Sequence, residues 1–366
     1  MMKLGRCASI MSMLTLATVS LLTLGVARPT AEGPQAAASS KARFPRNVTE
    51  FDQLFKEVSN WGRWGKTDVL GTLNLITDAK RVQAAALVKH GIAVSLAHDG
   101  NGIMEKAEDQ RGPIGLTHQG GKFEWSFHGP GNSHIDAPCE AATILWAGME
   151  RPSETRPLLL RGPMVRSAYG GKAYNGYPAS EIVKADGTGC TKLGAEIFKN
   201  GIVTRGILID IPRLKGVPYL ELSTPVFPED IEAWEKMAGM KIATGDAIFL
   251  RTGRWARRAK LGPWNPHVLG GAGFHASAAR FFKQRDVAVV GTDFAAEVFP
   301  SLVEGVPLPI HILLQAALGS GLFDAQDLEA LAETAAKLNR WEFMLTGAPL
   351  RITGASGSPL NMTALF

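Results

Sequence analysis

Residues 202–211 read IVTRGILIDI, and this stretch decides the fold class. A run rich in isoleucine and other β-branched residues is typical of a buried strand. Further strand-like runs alternate with helix-like runs along the chain, and this alternation predicts an α/β domain. The strand-like runs are DAIFLRTG (246–253), VAVVGTD (287–293) and EFMLTGAPLRI (342–352), and the helix-like runs are GAEIFKNG (194–201), PEDIEAWEKMAG (228–239), ASAARFFKQRD (276–286), PIHILLQAALG (309–319) and DAQDLEALAETAAKLN (324–339).

Two more helices are predicted on the N-terminal side of this stretch. Each follows a threonine that can cap it: Thr49 precedes residues 50–60, and Thr77 precedes residues 78–90. The chain shows no internal repeat and no interior linker. Residues 48–366 are therefore predicted to form one domain.

The N-terminus has the pattern of a secretory signal peptide. Two basic residues precede an apolar stretch from Ala8 to Val26, and Ala27 offers a small residue for cleavage. An uncleaved anchor is the alternative, but serine and threonine interrupt the stretch and no stop-transfer charges follow it. We therefore expect residues 1–27 to be removed, residues 28–47 to form a flexible leader, and the mature protein to be secreted or periplasmic without a membrane segment.

Composition and charge narrow the possible partners. The 366 residues are 45% hydrophobic and 20% charged, with a formal net charge of +5, an ordinary globular balance. No basic tract is interleaved with aromatic residues, so a nucleic-acid partner is not predicted. Of the three cysteines, Cys7 lies in the signal peptide. Cys139 and Cys190 can form a disulfide in an oxidising compartment, or Cys139 can be a buried thiol.

The residues suited to chemistry cluster in HGPGNSHIDAPCE, residues 128–140. Side chains two positions apart in an extended segment lie on the same side, so His134 and Asp136 project together, and Glu140 can join them. A Gly-Pro-Gly turn can bring His128 back towards them. Imidazoles and carboxylates that converge suit a divalent ion such as zinc or manganese. The alternative is that these polar groups satisfy the backbone of a loop.

This segment resembles the cyclase family, which includes bacterial kynurenine formamidases and isatin-type hydrolases. Family members carry a motif like H-x-G-T-H-x-D-x-P-x-H, and residues 133–138 match its centre. The resemblance implies a swivelling β/β/α fold, with a mixed sheet and flanking helices, and a homo-oligomer. It extends from about residue 60 to the C-terminus through LGTLNLIT, KAYNG, GIVTRGILIDIPRLKG, DAIFLRTGRW, RDVAVVGTDFAAEVFPS, PLPIHILLQAALG and SGSPLN.

The resemblance also implies a set of metal ligands. His134 and Asp136 match ligands of the family, and Asp136 is able to bridge two ions. His311 matches a further ligand at the start of a helix, and Asp324 is the best-placed acidic ligand after it. The alternatives are a helix-capping histidine at position 311 and an N-cap for the following helix at position 324.

Two positions depart from the family motif. Pro130 stands where the motif has its first histidine ligand, and a proline side chain cannot bind a metal. His128 is the candidate to take over that role. Glu140 replaces the last histidine of the motif, which resembles a general acid/base. A glutamate can do this work if burial raises its pKa, or it can become a ligand.

The resemblance implies a metal-dependent hydrolase that opens a small amide, lactam or lactone with a metal-activated water, so the expected partner is a small carbonyl compound. The competing hypothesis is an exported, non-catalytic protein that binds a small molecule or a metal. Arg251 and Arg254 are weaker candidates for binding a substrate carboxylate. Trp61, Trp64 and Phe127 are weaker candidates for an aromatic wall.

Overall fold

The described residues cover most of the predicted domain. The computed structural model describes residues 44–99, 115–116, 123–124, 127–141, 172–184 and 189–366. The predicted signal peptide, residues 1–27, and residues 28–43 of the predicted leader lie outside the described residues. Within the described stretches, no helix combines the length and the apolar character that a membrane crossing requires.

Within the residues that the structure describes, nine strands form one mixed sheet. They are β1 (Ala93–Ser95), β4 (His134–Asp136), β5 (Ile202–Asp210), β7 (Ala247–Arg251), β9 (Val289–Thr292), β10 (Leu322–Asp324), β11 (Glu342–Gly347), β12 (Gly357–Pro359) and β13 (Thr363–Leu365). Two smaller pairings join β2 (Gly115–Leu116) to β3 (Phe123–Glu124) and β6 (Pro225–Val226) to β8 (Gly273–Phe274).

The large sheet has the order β1-β13-β11-β5-β7-β9-β10-β4-β12. Strands β5, β7, β9 and β10 pair in parallel, and their other neighbours pair antiparallel. The run that predicted a buried strand is β5, in which Ile207, Leu208 and Ile209 are all fully buried. Parallel strands are expected to be covered on both faces, so the apolar run and the topology agree.

Helices flank the sheet. They are α1 (Val48–Val58), α2 (Asp78–Ala85), α3 (Ala179–Ile182), α4 (Ile211–Lys215), α5 (Pro228–Ala238), α6 (Arg254–Leu261), α7 (Pro266–Leu269), α8 (Ala278–Arg285), α9 (Pro309–Ile312) and α10 (Glu329–Leu338). A π-helix, Leu313–Leu318, continues α9. Short 3-10 helices span Gly71–Leu75, Tyr174–Gly176 and Ala195–Phe198. The predicted α/β class, with a mixed sheet and flanking helices, is confirmed.

The ends of α1 and α2 differ in part from those predicted from the local sequence. The predicted Thr49 cap is wrong, because Asn47 has the extended backbone and its side chain accepts a hydrogen bond from Glu50 N. The Thr77 cap of α2 is confirmed by its bond from Lys80 N, but the helix ends at Ala85. Asn47 also pairs with Glu304 in a β-bridge, so this residue of the predicted leader joins the fold.

Candidate metal centre

Strand pairing places three predicted ligands on one face of the sheet. In the antiparallel pair β4–β10, His134 lies opposite Asp324 and Asp136 lies opposite Leu322. Directly opposed residues point to the same face, as do residues two apart on one strand, so His134, Asp136 and Asp324 share a face. Ile135 is fully buried on the opposite face. His134 and Asp136, two residues apart in the sequence, therefore project from the same face of the sheet, as predicted.

The turn before β4 returns His128 to this face. Its Nδ1 lies 2.8 Å from Asp136 Oδ1, and its Nε2 lies 2.9 Å from Ser356 Oγ. Gly357 permits this approach, because a Cβ there would lie 2.3 Å from Ile135 O and 3.1 Å from His128 Cε1. Glu140 Oε2 lies 3.7 Å from His128 Nε2. The structure thus brings His128 and Glu140, the two residues at the ends of the motif, together.

Pro130 contributes its carbonyl to the turn. The buried guanidinium of Arg254 donates a hydrogen bond to Pro130 O, so Arg254 holds the turn. Arg251 pairs with Asp210 at 2.9 Å and with Glu329 at 2.6 Å. Both arginines therefore have protein partners, and these contacts give no support to their predicted role in binding a substrate carboxylate.

His311 brings the second half of the centre from α9. Its Nε2 lies 3.2 Å from Asp324 Oδ2 and 3.8 Å from Asp136 Oδ2. Two sets of potential ligands result among the described residues: the His128 cluster (His128, His134 and Asp136) and the His311 cluster (Asp136, His311 and Asp324). Within each cluster, the ligand atoms lie within 4.8 Å of one another. Asp136 belongs to both clusters.

The structure also bears on the helix-cap alternatives for Asp324 and His311. Asp324 is the last residue of β10, and the N-cap position of α10 is Leu328, so the N-cap alternative is wrong. His311 lies inside α9, and its ring nitrogens face Glu297 and Asp324 rather than the end of the helix. Both residues are buried, and both belong to the same cluster.

Glu297 is a residue of the centre that the sequence did not reveal. Its Oε1 and Oε2 lie 2.8 and 2.9 Å from His311 Nδ1, and Oε2 also accepts a hydrogen bond from His311 N at 3.2 Å. Glu297 is fully buried. The one clue in the sequence is an acidic residue set among apolar neighbours in FAAEVFP, residues 294–300.

The electrostatics of the centre favour a bound cation. Burial alone would raise the pKa of Asp136, but His134 and His128 outweigh it and hold that pKa well below its usual value. Burial lowers the pKa of His311, but Glu297 and Asp324 outweigh it and raise that pKa well above its usual value. Asp324 Oδ1 is buried, with no hydrogen-bond partner in the described part of the chain. A buried carboxylate oxygen without a donor suits a metal ion.

Cys139 and Cys190 form a disulfide, which answers the question that the sequence left open. Their Cα atoms lie 6.4 Å apart, and Cys139 N also donates to Leu193 O at 3.0 Å. The bond ties the end of the motif, next to Glu140, to the segment that leads into β5.

One of the three aromatic candidates lies against the centre. The ring centroid of Phe127 is 4.2 Å from that of His128 and 6.0 Å from that of His134. Trp61 donates to Ala316 O at 2.7 Å, and Trp64 lies under the guanidinium of Arg63. These two tryptophans are used in packing, whereas Phe127 supplies a flat apolar surface beside the histidines.

Comparison with known proteins identifies the family. Residues 64–296 match the family model described as "Putative cyclase". The chain belongs to the cyclase family. Its fold matches the crystal structure of a novel cyclase with a TM-score of 0.66 and 28% sequence identity, covering 84% of this chain and 100% of that chain.

Two isatin hydrolases are more distant structural matches of this cyclase-family chain. Isatin hydrolase A from Labrenzia aggregata, bound to benzyl benzoate, is 18% identical with a TM-score of 0.45, covering 77% of this chain and 96% of that chain. Isatin hydrolase A from Ralstonia solanacearum is 17% identical with a TM-score of 0.43, covering 75% of this chain and 91% of that chain. No curated protein matches the chain.

Proposed function

We propose that this member of the cyclase family is a metal-dependent hydrolase that opens a small amide, lactam or lactone. The observation that carries the proposal is the convergence of two ligand clusters on Asp136. Strand β4 and two elements that lie far from it in the sequence, α9 and β10, contribute side chains to one buried site. Such a set of imidazoles and carboxylates in a buried setting suits a divalent ion better than it suits packing.

Either zinc or manganese fits the donors that the chain presents. The His128 cluster offers two imidazoles and one carboxylate, and the His311 cluster offers one imidazole and two carboxylates. A divalent ion held there supplies a water of lowered pKa and polarises a carbonyl oxygen. Both are what the hydrolysis of a planar amide or ester bond requires.

The side chains around the clusters supply proton transfer and orientation. Glu140 is partly buried, with 15% of its side chain exposed, and is the carboxylate beside His128. In the proposed reaction it accepts a proton from the attacking water and returns one to the leaving nitrogen or oxygen. Ser356 Oγ, at 2.9 Å from His128 Nε2, keeps that imidazole oriented. Phe127 packs against a flat substrate and helps to shield the reacting carbonyl from bulk solvent.

Metal analysis combined with a substrate panel tests the proposal. Purified protein is expected to retain stoichiometric metal and to turn over one of the formamide, lactam and lactone substrates in the presence of manganese or zinc. Asp136→Ala is expected to abolish both metal retention and turnover. Protein that binds no divalent ion, or an Asp136→Ala variant with wild-type turnover, contradicts the proposal.

Pro130 favours a second candidate, a non-catalytic binding protein that keeps the cyclase fold. The position has lost a side-chain ligand, and its carbonyl now serves to anchor a turn through Arg254. Under this hypothesis the protein binds a small carbonyl compound or a metal but releases the compound unchanged. Ligand binding by calorimetry, without product formation under any added metal, is the result that distinguishes this candidate from the hydrolase.

We also propose that the protein acts after export, as a homo-oligomer. The basic and apolar pattern of residues 1–27 supports secretion, and the Cys139–Cys190 disulfide suits an oxidising compartment. Fractionation of the native host, followed by N-terminal sequencing of the mature protein, tests the first part. Light scattering coupled to size-exclusion chromatography tests the second.

A further inference from the structure

The three histidines of the centre differ in what holds the ring nitrogen that faces away from Asp136. His311 Nδ1 meets the Glu297 carboxylate. His134 Nδ1 lies 2.6 Å from the neutral carbonyl of Asn132. His128 Nε2 meets the Ser356 hydroxyl, with Glu140 farther away at 3.7 Å. In the part of the chain that the structure describes, the closest charged partner of these outward-facing nitrogens is the Glu297 carboxylate at His311 Nδ1.

The backbone around Glu297 fixes its position. Glu297 pairs with Phe274 in a parallel β-bridge, and Phe274 N and Val298 N close that pairing with hydrogen bonds. Gly273 makes the close approach possible, because a Cβ there would lie 2.4 Å from Glu297 C. The carboxylate accepts bonds from both the ring and the peptide N–H of His311. Glu297 therefore fixes both the place and the rotation of the imidazole.

A carboxylate partner changes the donor strength of an imidazole. It keeps the proton on Nδ1, leaves Nε2 as the lone-pair nitrogen and makes that nitrogen more basic. In this structure Nε2 is the atom that faces Asp324 and Asp136. A carbonyl or hydroxyl partner has the same effect on orientation but carries no full charge.

The charges around the two clusters also favour the His311 cluster as the stronger cation site. The His311 cluster has two carboxylates as ligands and a third, Glu297, directly behind its imidazole. Among the described residues, the His128 cluster combines one carboxylate, Asp136, with two imidazoles, and 29% of the His128 side chain is exposed to solvent. A cation gains more from the more negative and more buried set of donors.

We propose that Glu297 is a positioning residue that makes the His311 cluster the tighter of the two subsites, so that the first divalent ion binds at His311, Asp324 and Asp136. The inference rests on the proposed function, since it requires that the centre binds metal. It goes beyond that function by ranking the subsites and by assigning a role to Glu297.

Equilibrium titration of the metal-free, full-length protein with Mn²⁺ tests the ranking. Free Mn²⁺ is followed by electron paramagnetic resonance, so the readout does not depend on activity. Glu297→Gln, which keeps the shape of the side chain and removes its charge, is expected to weaken the first binding step by about 10- to 100-fold. Asp324→Asn is expected to remove that step. His128→Asn is expected to weaken the first step much less than Asp324→Asn does, because His128 reaches this subsite only through its contact with Asp136.

Glu235→Gln is the matched control. Glu235 is also a buried glutamate, but its carboxylate binds Arg285 and the peptide N of Ile242. If the loss of a buried charge acted only through general destabilisation, both variants would weaken Mn²⁺ binding equally. The proposal expects Glu235→Gln to lower the thermal stability and to leave both binding steps unchanged.

The outcomes separate this inference from the proposed function. If His128→Asn removes the first step, or if Glu297→Gln binds the first ion like the wild type, the ranking is wrong while the metal site stands. If the wild-type protein binds no Mn²⁺ and no Zn²⁺, the proposed function fails and the ranking fails with it.

Discussion

Asp136 Oδ2 lies 3.8 Å from His311 Nε2, so a strand residue from the first half of the chain and a helix residue near its end face each other across the centre. The other oxygen of the same carboxylate lies 2.8 Å from His128 Nδ1. Asp136 is therefore the point at which the two clusters join. Its replacement is expected to affect both clusters, whereas replacement of any other ligand affects one.

Asp136→Asn is expected to reduce divalent metal affinity at both subsites by more than about 100-fold, because the loss of an outer partner alone already costs 10- to 100-fold. Asp324→Asn, the matched variant, is expected to leave the His128 cluster able to bind. Metal content after dialysis against a fixed free ion concentration measures the difference. Equal metal content in the two variants contradicts the shared role of Asp136.

Glu140→Gln is expected to retain metal and lose turnover. The amide keeps the size of the side chain but cannot carry a proton between water and the leaving group, so kcat is expected to fall by about 10²- to 10⁴-fold. Steady-state kinetics on the best substrate of the panel measure the fall, with metal content as the control. Wild-type kcat with full metal occupancy excludes Glu140 as the acid/base group.

The buried side chain of Gln315 is expected to lower the free energy of unfolding of the wild-type protein. It is fully buried in the π-helix, and neither its Oε1 nor its Nε2 has a hydrogen-bond partner in the described part of the chain. A buried amide without partners costs about 1–3 kcal/mol, so Gln315→Met is expected to raise the free energy of unfolding by about 1 kcal/mol. Urea unfolding of the metal-free protein measures the change.

Gln326→Met is the matched control for this prediction. Gln326 is equally buried, but its Nε2 donates to Asp324 O at 2.9 Å, so the substitution is expected to lower the free energy of unfolding. A lower urea midpoint for Gln315→Met would show that the amide of Gln315 has a partner in solution, such as a buried water.

His275 is expected to make stability depend on pH. Burial lowers its pKa to about 4, whereas an unfolded histidine titrates near pH 6.5. The folded state therefore binds the proton less readily than the unfolded state does. The stability contributed by neutral His275 is fully present above pH 6.5 and is lost as the pH falls through 4, by up to about 3 kcal/mol.

His275→Asn isolates this contribution, because the amide oxygen can still accept the hydrogen bond that Ser277 N gives to His275 Nδ1. The difference in unfolding free energy between the wild type and the variant is expected to change between pH 6.5 and pH 4. A constant difference across that range would mean that His275 titrates normally in the folded protein.

Local spacing predicted the part of the centre that lies within one strand. His134 and Asp136 are two residues apart, and an extended chain necessarily puts them on one side. The position of Asp324 opposite His134 depends on the β4–β10 register, which a single sequence does not specify. For that reason, only the family resemblance placed Asp324 and His311 in the centre.

Neither the spacing of residues nor the family resemblance predicted the contact of Glu297 with His311 or the capping role of Asn47. The contact between Glu297 and His311 depends on how the segment after β9 passes β8, and the apolar neighbours in FAAEVFP do not indicate which group the acid contacts. Asn47 and Thr49 are both good capping residues, so propensity alone could not choose between them. In the structure, Glu50 N donates a hydrogen bond to the Asn47 side chain, so Asn47 is the N-cap.

Strand β4 lies between β10 and β12, and both of these neighbours are encoded close to the C-terminus. A nascent chain that is still emerging from a ribosome, or threading through a translocation channel, has made His128, His134 and Asp136 long before the flanks that align them. On the proposed function, we therefore expect the centre to bind its ion only after β10 and β12 have been synthesised and have paired with β4. If the protein is exported as proposed, the ions available where folding finishes, rather than those available where synthesis begins, are expected to determine which metal it carries.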